Sequence, residues 1–160
     1  MKRIGATTLA VALLLLSLAG CGRKPVVDET RYFANQRWKW QEPERFEFDI
    51  KKTSECYNLV AEVYYDTAVL RRPTLPLIVE LQSPNGERRT FQASILLRTR
   101  DGHCTGTVIG DFASATATLK KYFFFNTPGT QQLVVTQGTD RYELAGVSRL
   151  TLRVESAPTE

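Results

Sequence analysis

The sequence predicts an all-β protein: a single β-sandwich, jelly-roll-like or immunoglobulin-like, of about eight strands behind an N-terminal tether. Two observations predict this fold. Apolar and polar residues alternate with a period of two in many short segments after residue 44. Turn signals separate these segments at intervals of about 8–12 residues. The 160-residue chain is long enough for one domain with a hydrophobic core.

The alternation is clearest in the segments ERFEFDIKK, YNLVAEVYY, LPLIVELQ and GVSRLTLRVE. In the first, Phe46, Phe48 and Ile50 share one face and the charged residues share the other, which is typical of a half-buried strand. In the last, the alternation slips between Val147 and Leu150. That slip predicts either a β-bulge or a later start of the strand.

Turns and one exception complete the pattern. Asn85-Gly86 and Asp101-Gly102 are strong hairpin signals because these residue types tolerate positive φ. The segment DFASATATLKK is the one stretch that resembles a helical turn, although its threonines weaken that prediction.

The first residues, MKRIGATTLAVALLLLSLAG, combine a positive start with a short apolar run. A transmembrane helix needs about 20 apolar residues, and this run is shorter and contains Gly5, Thr7 and Thr8. We therefore predict a cleaved signal peptide over residues 1–20.

Leu18-Ala19-Gly20-Cys21 resembles the bacterial lipobox, in which the cysteine sulfur receives a diacylglyceryl group and the new amino terminus is usually acylated. Two or three acyl chains would hold the protein on a membrane durably, whereas a plain signal peptide would leave it free. We predict lipidation of Cys21, a tether over residues 21–31, a sandwich domain over 32–156 and a disordered tail over 157–160. In some bacteria, lipoproteins sent to the cell surface resemble one another in carrying acidic residues directly after the cysteine. Gly22-Arg23-Lys24 does not resemble that pattern, and no acidic residue follows Cys21 until Asp28, so we expect an outer-membrane anchor that faces the periplasm.

Charge gives little indication of a nucleic-acid partner. The net charge of +4 falls to +2 when Lys2 and Arg3 leave with the signal peptide, and no long basic run is present. Arg71 and Arg72 belong to a suggestive cluster of arginines that also includes Arg88, Arg89, Arg98 and Arg100. They are either a partner or glycan surface or, more commonly, solvated loop residues.

Cys56 and Cys104 are an even pair in an exported chain. A disulfide between them would close a loop of about 48 residues and contribute about 4 kcal/mol. Alternatively, each is a small buried apolar residue. The sequence leaves both options open.

Nothing in the sequence indicates catalysis, a metal or a cofactor. His103 is the only histidine, and a metal site needs three or four ligands of suitable type. His103 and Cys104 are adjacent, so on a strand they would point to opposite faces and could not form a Cys–His pair. No nucleophile-elbow, zinc-protease or phosphate-loop motif occurs.

Trp38 and Trp40 stand two residues apart, which places them on one face of an extended chain. Such a pair could stack on a sugar ring, as in β-sandwich carbohydrate-binding modules. More often it closes the open end of a sandwich, because two indoles bury a large apolar area.

The order of these motifs resembles the gliding motility lipoprotein family GldH of Bacteroidetes. After the lipobox come a tryptophan before an F-x-F-x-I strand, a Tyr-Asn-Leu strand start, a P-N-G hairpin, a D-G-x-x-x-G segment, an F-x-x-x-G turn and a closing L-x-G-V-x-x-L-x-L-R-V-E strand. The matching residues are Trp38, Phe46, Phe48, Tyr57, Asn58, Leu59, Pro84, Asn85, Gly86, Asp101, Gly102, Gly106, Gly129, Leu144, Gly146, Arg153 and Glu155. The chain departs from the family pattern at Cys104 and in the composition of residues 71–76.

The resemblance implies a non-enzymatic lipoprotein of the cell envelope that supports gliding and the associated type IX secretion. Its expected partners are the membrane, through Cys21, and other gliding or secretion proteins of the envelope. The alternative function is a lipid-anchored carbohydrate-binding sandwich that uses Trp38 and Trp40.

Overall fold

The computed structural model describes residues 24–158. Within that part of the chain the regular structure is eleven strands and one 3-10 turn, Ala34–Gln36. The strands are β1 (Val27–Tyr32), β2 (Arg37–Lys39), β3 (Glu44–Ile50), β4 (Tyr57–Asp66), β5 (Thr74–Gln82), β6 (Arg88–Leu96), β7 (Thr107–Ile109), β8 (Phe112–Phe123), β9 (Gly129–Gln137), β10 (Glu143–Ala145) and β11 (Val147–Ser156). None of the described helices is long and apolar enough to cross a bilayer.

The strands form two main antiparallel sheets. The five-stranded sheet has the order β1-β11-β4-β8-β7 and the four-stranded sheet has the order β3-β9-β5-β6. A two-stranded ribbon of β10 and β2, here called the end ribbon, is separate from both. The predicted all-β sandwich-like architecture is therefore confirmed, and eight of the strands have six or more residues.

The core lies between the two sheets, and the period of two determines which residues enter it. In β3 the buried residues are Phe46, Phe48 and Ile50, as the alternation predicts. Each large apolar side chain that is removed from water on folding stabilises the folded state by about 1.5–3 kcal/mol. The remaining strands contribute in the same way; the most enclosed of their residues include Leu59, Val63, Tyr65, Leu75, Leu77, Leu133, Leu150 and Leu152.

The predicted helical turn in DFASATATLKK is wrong, because this segment lies in β8. Ala113 and Ala115 are buried while Thr116 and Thr118 are exposed, so the segment follows the period of a strand. Threonine favours strands because of its branched β-carbon. Alanine and threonine alternate here with little difference in hydrophobicity, which hides the period in the sequence.

The predicted tether is too long by several residues. Val27–Tyr32 pairs antiparallel with β11, from Val27 opposite Val154 to Tyr32 opposite Arg149. The hydroxyls of Thr30 and Thr151 also lie 2.8 Å apart. These residues belong to the domain because a partner strand satisfies their backbone, which a short polar sequence does not reveal. Near the start of β11 the register shifts between Val147 and Arg149, which confirms the predicted bulge.

Candidate interaction site at the end ribbon

Trp38 and Trp40 do not share a face. Trp38 is only 1% exposed and stacks on Phe33 with ring centroids 4.9 Å apart, opposite Leu144 of the end ribbon. Trp40 is 50% exposed. The predicted alternation fails because β2 ends at Lys39 and Trp40 lies in the following turn. Trp38 and Trp40 therefore do not form a platform of two exposed rings, and Trp38 closes one end of the core.

The loop between β4 and β5 lies next to this ribbon and is fixed by Asp66. Its carboxylate accepts hydrogen bonds from the N–H groups of Ala68 at 2.8 Å and Val69 at 3.1 Å. The N–H of Leu70 donates to the carbonyl of Asp66 at 2.9 Å. A short acidic side chain satisfies loop backbone groups in this way and holds the turn. Arg71, the next residue of this loop, is also held in place, because its Nε donates a hydrogen bond to the carbonyl of Ala68 at 2.8 Å.

The loop between β9 and β10 is fixed by Gln137, a fully buried amide. Its Nε2 donates to the carbonyl of Arg141 at 2.7 Å, and its Oε1 accepts from the N–H of Thr139 at 2.9 Å. A buried amide needs such partners because an unsatisfied one costs free energy. Gln137 therefore orders the segment that carries Asp140 and Arg141.

Gly146 joins these elements at the start of β11. Its φ is +90°, and a Cβ there would lie 3.0 Å from the nitrogen of Leu70 and 3.1 Å from the Cβ of Val69. Its N–H donates to the carbonyl of Gln36 at 2.8 Å, and its carbonyl accepts from Asp66 at 2.8 Å. Only glycine combines that dihedral with that approach. The β4–β5 loop consequently packs directly against the end ribbon.

Between the two loops lies a cavity of about 270 Å³. It is lined by residues 69–72, 141 and 143–145, and we call it the arginine cleft. Arg71, Arg72 and Arg141 all line it, although they come from two separate loops. Trp40 and Tyr142 extend the same end of the molecule, since the N–H of Trp40 donates to the carbonyl of Tyr142 at 2.8 Å.

The carboxylates at this end already have partners. Arg72 pairs with Asp140 at 3.0 Å, Lys39 pairs with Glu42 at 2.9 Å, and Arg37 pairs with Glu143. The hydrogen bond from Arg72 is the main reason that the pKa of Asp140 is lowered from its ordinary value, and the positive charge of Arg141 adds a smaller effect.

Arg71 and Arg141 differ from these paired basic residues. Neither forms an ion pair with any residue in the described range 24–158. Both residues are also exposed. The arginine cleft is therefore lined by two arginines that have no ion pair within the described part of the chain.

Arg71, Arg72 and Trp40 were identified from the sequence, whereas Arg141 and Tyr142 were not. These two follow Thr139-Asp140 in a short polar segment whose only local signal is that of a turn. Which loops meet at one end of the sandwich decides that Arg141 lines the same cleft as Arg71 and that Tyr142 lies beside Trp40.

The disulfide considered for Cys56 and Cys104 is not formed, and both thiols are free. Cys56 immediately precedes β4, and its carbonyl accepts from Ala157 at 2.8 Å. Cys104 lies near the other end of β4, beside Tyr65 and 3.4 Å from the guanidinium of Arg98. At about 3.3 Å per residue the two are about 30 Å apart along the strand, whereas a disulfide needs Cα atoms within about 7 Å.

The other predicted site residues lie elsewhere. His103 is exposed beside its hairpin, and among residues 24–158 no three His, Cys, Asp or Glu residues are grouped so as to hold a metal ion. Cys21 and the predicted signal peptide lie outside the described residues.

Several solved structures resemble this fold. One is a family 28 carbohydrate-binding module specific for non-crystalline cellulose, with a TM-score of 0.49, 10% identity and coverage of 83% of this chain and 74% of that one. Another is the Eiger TNF from S. frugiperda, with a TM-score of 0.44, 12% identity and coverage of 86% and 96%. A third is the 4-O-methyl-α-glucuronidase BtGH115A, with a TM-score of 0.47, 13% identity and coverage of 85% and 18%. At these levels of likeness, none of them bears on function.

Comparison with curated proteins finds no match. The family model described as GldH lipoprotein, by contrast, matches residues 25–154. That span covers all the strands except the last two residues of β11, and it includes both loops of the arginine cleft. The chain therefore belongs to the GldH lipoprotein family.

Proposed function

We propose that this protein is a lipid-anchored, non-enzymatic protein of the cell envelope that supports gliding motility and the associated type IX secretion by binding other envelope proteins. The observation that carries the proposal is the match to the GldH lipoprotein family over residues 25–154. The ordered, exposed end of the sandwich supports a binding role. Its tyrosine, tryptophan and arginine side chains are the types that contribute most to protein interfaces.

The anchor in this proposal is Cys21. The first paired residue of the domain is Val27, and six residues of extended chain span at most about 20 Å. The folded body would therefore stay close to the bilayer. The basic residues that follow Cys21 favour an outer-membrane anchor facing the periplasm.

The position of the anchor would leave the arginine cleft free. Val27 pairs with Val154 near the end of β11, whereas Gly146 and the cleft lie at the start of β11. These positions are about 25 Å apart along the strand. The tether and the cleft are thus at opposite ends of the sandwich.

Replacing the anchor tests the proposal. We expect Cys21→Ala to remain unprocessed, unlipidated and absent from the outer-membrane fraction, as followed by metabolic labelling with a palmitate analogue and by fractionation. Cys104→Ser is the matched control because it removes a thiol of the folded domain, and it should be labelled and fractionated like the parent. Acylation and membrane retention of Cys21→Ala would contradict the anchor.

A pull-down of the anchored protein from detergent-solubilised membranes tests the interaction role. We expect gliding or secretion components of the envelope to co-purify with the parent protein. Recovery of glycan without any such component would contradict the role. The alternative function, a carbohydrate-binding sandwich that uses Trp38 and Trp40, requires two exposed rings, and only Trp40 is exposed.

A further inference from the structure

We infer that the arginine cleft is the docking site for an acidic segment of a protein partner, with a carboxylate of that segment received between Arg71 and Arg141. The inference rests on the proposed function, which it deepens by assigning the surface and the chemistry of the partner.

Charge is the first argument. Three carboxylates at this end of the molecule pair with a basic residue, through Arg37–Glu143, Lys39–Glu42 and Arg72–Asp140, and the carboxylate of Asp66 is engaged by backbone N–H groups of its own loop. Arg71 and Arg141 have no ion pair among the described residues, and both are exposed. Guanidinium groups bind carboxylates through charge-assisted hydrogen bonds of matching geometry. An anionic partner would therefore complete the charge balance of the cleft.

Preorganisation is the second argument. The Nε of Arg71 is already held by the carbonyl of Ala68 at 2.8 Å, and this bond leaves the two terminal nitrogens of the guanidinium for a ligand. The backbone of Arg141 is held by Gln137 at 2.7 Å. Because these loops are ordered before binding, less conformational entropy is lost when a partner docks.

Size and surroundings favour a protein segment over a small molecule. The cleft encloses about 270 Å³, below the ~300–1,000 Å³ usual for small-molecule sites, and it suits an acidic side chain. Val69, Trp40 and Tyr142 are exposed at the same end of the sandwich. They offer the apolar contact area that surrounds a charged anchor in a protein interface.

The donor chemistry argues against a neutral glycan. Recognition of sugar hydroxyls uses acceptors as well as donors, but the carboxylates of this end are engaged by Arg37, Arg72 and Lys39. An anionic lipid headgroup is disfavoured by position, because β1 begins at the opposite end of the five-stranded sheet.

The experiment measures the binding of fluorescein-labelled poly-L-glutamate to the full-length chain in nonionic detergent, by fluorescence anisotropy at low salt. We expect Arg71→Ala/Arg141→Ala to weaken binding by at least about tenfold, because two charge-assisted contacts are lost. The matched control is Arg88→Ala/Arg100→Ala, which removes the same charge from exposed positions outside the cleft and should change affinity by less than about twofold.

Folding is checked by comparing the urea unfolding midpoints of all variants. Arg71→Ala removes a loop hydrogen bond, so Arg141→Ala alone provides a second test. The side chain of Arg141 has no hydrogen-bond partner among the described residues. We expect that single variant to weaken binding as well. Affinity should also fall as salt is raised, because exposed charges are screened.

Three outcomes would overturn the inference: absence of poly-L-glutamate binding, equal loss in the cleft and control variants, or binding of polygalacturonate without binding of poly-L-glutamate. The last would assign the cleft to an acidic glycan. If poly-L-glutamate fails to bind but envelope components still co-purify with the anchored protein, the inference fails and the proposed function stands. If Cys21→Ala stays acylated and membrane-held, the proposed function fails by itself.

Discussion

Tyr65 is a buried tyrosine whose hydroxyl has a defined acceptor. The hydroxyl donates to the carbonyl of Leu97 at 2.8 Å. Burial raises the pKa of Tyr65 to about 12, a hydrogen bond with Cys104 adds to the rise, and Arg98 opposes it. At the scale of a single residue, the surroundings of the Tyr65 hydroxyl determine both its hydrogen bond and its pKa.

We expect Tyr65→Phe to lower the free energy of unfolding by about 1 kcal/mol, the usual net value of one hydrogen bond. The cost stays modest because the carbonyl of Leu97 also accepts from Thr105 at 2.9 Å. Urea unfolding of the full chain measures it. Tyr32→Phe, at an exposed position, is the control and should change the value by less than about 0.5 kcal/mol.

The same residue gives a pH dependence. The neutral phenol is favoured in the folded state, so its contribution is fully present below the ordinary tyrosine pKa of about 10. It is lost as the pH rises toward the folded pKa of about 12. The stability advantage of the parent over Tyr65→Phe should therefore shrink as the pH rises through that interval, and an unchanged difference at high pH would contradict the assignment.

At the scale of elements, the end ribbon has a structural role and a binding role on different side chains. β2 and β10 are three residues each, yet Trp38 and Leu144, which lie opposite each other, are both buried. Trp40 and Tyr142 extend past the ribbon and are exposed. One short antiparallel pairing between strands far apart in sequence thus closes the core and presents the surface proposed for docking.

This division predicts opposite outcomes for two similar substitutions. Trp38→Ala should lower the free energy of unfolding by about 3–5 kcal/mol, because a fully buried indole leaves a cavity. Trp40→Ala should lower it by less than about 1 kcal/mol. Urea unfolding monitored by far-UV circular dichroism measures both. Equal losses would show that the two residues share one environment, contrary to the structure.

At the scale of the whole molecule, the length of β4 keeps apart two cysteines that the sequence suggested as a disulfide pair. Cys56 precedes the first residue of this ten-residue strand, and Cys104 lies beside Tyr65 near its last. The same length separates the start of β1 from the arginine cleft. The sandwich thus has an anchor end and a docking end.

We predict that the stability of the protein does not depend on reductant. Without a disulfide, dithiothreitol should leave the urea midpoint of the full chain unchanged. A Cys56–Cys104 bond would instead contribute about 4 kcal/mol. A loss of that size on reduction would contradict the structure, and Cys104→Ser, which cannot form the bond, is the matched control.

Much of the fold was predictable because burial leaves a period of two in the sequence. That period identifies β3, β4, β5 and β11, and its slip locates the bulge near Val147. The period of two fails in β8, where alanine and threonine differ too little in hydrophobicity, and in β1, where no residue is fully buried. Those segments are strands because neighbouring strands pair with them.

The sequence by itself determined the class of the fold, the family and the residue types available for binding, since these depend on local pattern and motif order. Only the tertiary structure decided which residues meet. It placed Arg71 and Arg141 in the lining of one cleft and Tyr142 beside Trp40, buried Trp38, and separated Cys56 from Cys104. The physical reason is that strand length and loop packing set distances between residues far apart in sequence, and hydrophobic periodicity contains no information about those distances.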